Sequence, residues 1–109
     1  MTMRTSIRAR ACVAFATLVG SLPFSYAEKG EIDRAREMIG GAIERRPDEW
    51  QGYYNAACFE VLYGDKEVGI RHLQRAHELN PERVSEAAAK DSDFDAVHDD
   101  PRFGAITGG

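Results

Sequence analysis

The sequence predicts an all-α chain of antiparallel helical hairpins, about two repeats long, with a short helical segment closing the C-terminal end. Three observations predict it. Residues recur at a spacing of 34: Gly30 with Gly64, Ile39 with Leu73, Ala42 with Ala76, Glu44 with Glu78 and Pro47 with Pro81, while Ala35 falls opposite Gly69. Between residues 50 and 79, apolar side chains follow helical periodicity in two runs separated by Gly64-Asp65. Pro47 and Pro81 stand where each hairpin would have to end, because the residue before proline avoids the helical region and proline has no N–H to donate.

A chain of 109 residues and 12.1 kDa has room for one domain, not for a catalytic domain with a regulatory one. With 43% apolar and 29% charged residues it can build a core. The formal net charge of −4 argues against a nucleic-acid binder, which must neutralise phosphates. Charge is also uneven along the chain. Arg4, Arg8, Arg10 and Lys29 face only Glu28 before residue 31, whereas everything after is net acidic.

Residues 1–15 form a basic and then apolar leader. The apolar run from Ala11 to Phe24 is too short for a bilayer span, so no stable membrane anchor is expected. Ser25-Tyr26-Ala27 carries the small residues a signal peptidase prefers, which permits an exported protein cleaved after Ala27. The competing reading keeps this segment as the first helix of the first repeat. Cleavage would strip that helix from residues 31–45 and expose Met38, Ile39, Ala42 and Ile43. The second reading is preferred here, with a cytoplasmic location and export as the alternative. Cys12 and Cys58 sit in apolar stretches, as cysteines used for filling space do, and suggest a reducing compartment.

The first repeat, residues 16–47, is degenerate. Pro23 costs roughly 3 kcal/mol inside a helix, so the helix around it should be kinked, shortened or absent. Gly40-Gly41 weakens the following helix by about 1 kcal/mol per glycine. The second repeat, residues 48–81, is the better one. Trp50 to Leu62 and Lys66 to Leu79 read as its two helices, with Asp48 as the expected cap of the first and Gly64 in a left-handed turn between them. Ala56, Ala57 and Ala76 are small where two backbones approach. Ile70, Leu73, Ala76 and His77 should line the seam against Tyr53, Ala57, Phe59 and Val61.

These residues resemble a tetratricopeptide repeat. Tyr54-Asn55-Ala56-Ala57, Gly64, Ala76 and Pro81 match the family pattern in the second copy; Tyr26, Gly30, Ala35, Ala42 and Pro47 match it in the first. Gly69 stands where the family has alanine. The ending, residues 82–109, predicts a helix from Glu82 to Lys90, a short turn through Val97 capped by Asp91 or Ser92, and a last helix opened by Asp100-Pro101. Asp93-Phe94-Asp95 and Asp99-Asp100-Pro101-Arg102-Phe103 are similar to the segment that closes bacterial repeat proteins of the end-of-group type. The resemblance spans residues 26 to 104 and implies that Phe94, Val97, Phe103 and Ile106 cover the last repeat.

The resemblance also implies a function. First helices of successive repeats line a groove that holds a segment of another protein, and here Gln51, Tyr54, Asn55, Cys58, Val61 and Leu62 occupy the matching positions. Asn55 matches an asparagine that holds a peptide's carboxylate or backbone, but the lysines of a carboxylate clamp are missing. The same residues serve equally well as packing against the closing segment or the first helix. The expectation is a non-enzymatic binding or scaffolding module with no cofactor. Two alternatives stand beside it: a regulatory piece of a larger protein, for example one with a cupin barrel, and a small enzyme or metal protein using Cys58, His72 and His77. So short an array also favours extension, capping or self-association.

Other chemistry is poorly supported. Asp91, Asp93, Asp95 and Asp99 alternate like a calcium loop, yet Ala96 and Arg102 stand where such a loop needs glycine and glutamate. His72 and His77 are five apart and diverge around a helix, which disfavours a shared metal. His98, among carboxylates, should be exposed.

Overall fold

The computed structural model describes residues 24–108. Expectations about the leader, Cys12 and the kink at Pro23 lie outside the described residues. Residues 24–28 are helical and lead through a turn at Gly30 into α1, Ile32–Arg45. Four further helices follow: α2, Trp50–Tyr63; α3, Lys66–Leu79; α4, Pro81–Lys90; and, after a 3₁₀ turn at Ser92–Val97, α5, Pro101–Thr107. No strand occurs among the described residues.

The starts of these helices follow from side chains that satisfy orphan N–H groups. The Asp65 carboxylate accepts from the N–H groups of Glu67 at 2.9 Å and Val68 at 3.4 Å, starting α3. Asn80 ends α3, its N–H donating to the Ala76 carbonyl, and at once caps α4, its Oδ1 accepting from the Arg83 N–H at 3.2 Å. Pro81 then takes the first helical position, where a missing N–H costs nothing. Asp91 opens the 3₁₀ turn in the same way, and Asp100 with Pro101 opens α5. The expected cap at Asp48 is not made: Glu49 precedes α2, and no side chain bonds its first amides.

Two glycines at equivalent turns behave differently. Gly30 is left-handed, at φ +88°. Gly64, which was expected to be so, has φ −133°. Its missing side chain has another cause: a Cβ there would collide with the Glu60 carboxylate and lie 2.7 Å from Arg36 Nη2, disturbing the ion pair between them.

α1, α2 and α3 pack as successive antiparallel neighbours. The side chain of Ile43 meets the backbone at Gly52 at one end of the α1/α2 pair, and Arg36 meets Glu60 at the other. In the α2/α3 seam, Ala57, Leu73 and Ala76 are fully buried, with Ile70 almost so. A Cβ on Gly69 would sit 2.8 Å from Val61 Cγ2 and 3.1 Å from the Ala57 carbonyl, so glycine at this place reflects an approach closer than alanine permits. His77, expected in the seam, is only half-buried.

The C-terminal segment closes the far side. Phe94, Val97, Phe103 and Ile106 are all buried. Phe94 packs against Tyr54 of α2 and Phe103 of α5, with ring centroids 5.6 and 5.7 Å apart. The Ser85 hydroxyl donates to the Ile106 carbonyl at 2.6 Å, joining α4 to α5. At the surface, Arg102 bridges the Glu67 carboxylate of α3 with two bonds of 2.7 and 2.9 Å, and also holds Asp100.

Candidate functional site

α2 lies between α1 and α3 and supplies every residue of the expected groove wall. Its residues from Tyr54 to Val61 are all buried, so little of it is left for solvent. Of the six residues, Tyr54, Asn55, Cys58 and Val61 are buried, while Gln51 and Leu62 are half-buried. Val61 belongs to the seam and not to the groove wall, because its side chain is turned to Gly69 of α3.

Tyr54 is committed to the closing segment. Its hydroxyl donates to Asp91 Oδ2 at 2.8 Å, and its ring stands edge-on to both Trp50 and Phe94. Burial, reinforced by the adjacent carboxylates of Asp91 and Asp93, pushes the phenol well above its usual range. Tyr54 is therefore a permanent donor. For this residue the packing role weighed in the sequence is the one its contacts fit.

Asn55, next along the helix, is buried at 4% exposure, and its Oδ1 has no hydrogen-bond partner among the described residues. Among the described residues, the Tyr63 hydroxyl is the other neutral side-chain atom in that condition. Buried acceptors are normally satisfied.

Cys58 is fully buried and disulfide-bonded, which corrects the reading of it as a free space-filling thiol; the other cysteine, Cys12, lies outside the described residues. Its Sγ lies 4.0 Å from Asp91 Oδ2. The residues that gather there are Asp91 and Asp93, with ligand-type atoms of the three within 4.8 Å of one another; His72 and His77 are not among them. Asp95 and Asp99 are exposed, so the four aspartates of the candidate calcium loop do not converge. His98 is exposed as expected, beside Asp99.

A second buried polar group escaped sequence reasoning. Glu60 of α2 is 5% exposed and receives Arg36 of α1 through bonds of 2.9 and 3.2 Å, with the Asp65 N–H adding a third at 3.0 Å. Burial alone would raise the Glu60 pKa. The Arg36 and Asp65 hydrogen bonds and the Arg36 charge outweigh it, so the carboxyl titrates below its ordinary value. His72, half-buried against the Tyr53 ring, is held below its ordinary pKa by burial and by Arg71, against the opposing pull of Glu60. No local pattern marks Glu60 as paired with Arg36, because the two residues are 24 positions apart.

Comparisons with protein-family models, with curated proteins and with solved structures find no match for this chain. Among the described residues, no helix is long and apolar enough to cross a membrane.

Proposed function

We propose that the chain is a non-catalytic interaction module of tetratricopeptide type, which holds a segment of another protein along the first-helix side of its hairpins. The observation that carries this reading is the register of α1 and α3. Lys66 lies 34 positions after Ile32 and Leu79 lies 34 after Arg45, so two helices of equal length repeat at the family's period. Their inner residues correspond as well: Ala35 with Gly69 and Ile39 with Leu73, all four buried.

Asn55 supports the same reading. Its amide oxygen has no hydrogen-bond partner among the described residues and is itself buried, so an N–H of a bound segment would reach it only as the half-buried Gln51 and Leu62 beside it give way. Tyr54 and Cys58 then act as the floor beneath that surface, held by the closing segment, and not as contacts to the partner.

Site-specific photo-crosslinking in the native host tests it. A photoreactive residue at Gln51 or Leu62 should give a discrete adduct with one protein, while the same residue at the exposed Glu82 should give none. Equal labelling at all three, or no adduct at Gln51 and Leu62, would overturn the assignment.

A further inference from the structure

We draw no further inference here: the strongest candidate, the buried cluster of Cys58, Asp91 and Asp93 between α2 and the 3₁₀ turn, is an acidic pair beside a sulfur already held in a disulfide, and nothing else in the structure points to a ligand there.

Discussion

The hydroxyl of Tyr54 donates to the carboxylate of Asp91, 37 positions later in the chain, and so joins the central helix to the residue that caps the 3₁₀ turn. A hydrogen bond to a charged acceptor contributes about 1.5–3 kcal/mol. Tyr54→Phe keeps the ring contacts with Trp50 and Phe94 and deletes only the donor. The variant should lose about that much stability, read as a lower urea midpoint at unchanged m-value. An unchanged midpoint would mean that the bond is not made in solution.

Gly69 and Gly40 should respond with opposite sign to the same substitution. Alanine is favoured over glycine in a helix by about 1 kcal/mol. Gly40 is exposed with open space where a Cβ would go, so Gly40→Ala should stabilise by up to about that amount. At Gly69 the Cβ would press on Val61 and the Ala57 carbonyl, and Gly69→Ala should destabilise by about 1–3 kcal/mol. Thermal melts of the two variants check both signs, and stabilisation at Gly69 would contradict the close seam.

Much of the hairpin was legible because its signals are local. Asp65, Asn80-Pro81, Asp91 and Asp100-Pro101 act within one turn of the helices they start or stop. The four apolar residues expected to cover the last repeat are buried, and of them Phe94 meets the Tyr54 ring of α2. What could not be read was tertiary. Tyr54 with Asp91, Arg36 with Glu60, and the cause of the glycine at 64 depend on which side chains meet across helices. Val61 was expected both in the seam and on the groove wall, and only its contact with Gly69 across the helices separates the two, since helical spacing alone does not say which neighbour a residue faces.

Arg36 and Glu60 predict a response to acid. The folded-state pKa of Glu60 lies below its ordinary value of 4.5, so the unfolded chain takes up protons first as pH falls. The stabilisation is therefore complete above that ordinary value and is lost as pH drops through the folded-state pKa. Arg36→Ala leaves the buried carboxylate with the Asp65 N–H as its remaining bond among those described. It should cost about 2 kcal/mol at neutral pH, after discounting for the half-exposed arginine. Its acid-unfolding midpoint should move to higher pH. A variant with wild-type stability and an unmoved midpoint would show that the pair contributes nothing.

His72 should titrate below 6.5, its ordinary value, because burial disfavours the charged ring. The sign for stability follows. The unfolded chain binds the proton more readily, so stability rises with pH through the window between the folded pKa and 6.5. Histidine ring signals followed by NMR across pH give the midpoint directly; a His72 midpoint at or above 6.5 would place the ring in water or beside a dominant carboxylate.

The central claim is that two consecutive segments share one 34-residue mould, and the most direct test uses a contact that the repeat alone requires. Gly69 meets Val61 in the second hairpin; counting back 34 positions makes Ala35 and Ala27, both buried, the counterparts in the first. Nuclear Overhauser measurements on methyl-labelled protein should show a cross-peak between Ala27 and Ala35 as well as one from Val61 to the Gly69 α-protons. A Val61–Gly69 cross-peak with none between Ala27 and Ala35 would leave one hairpin and no repeat.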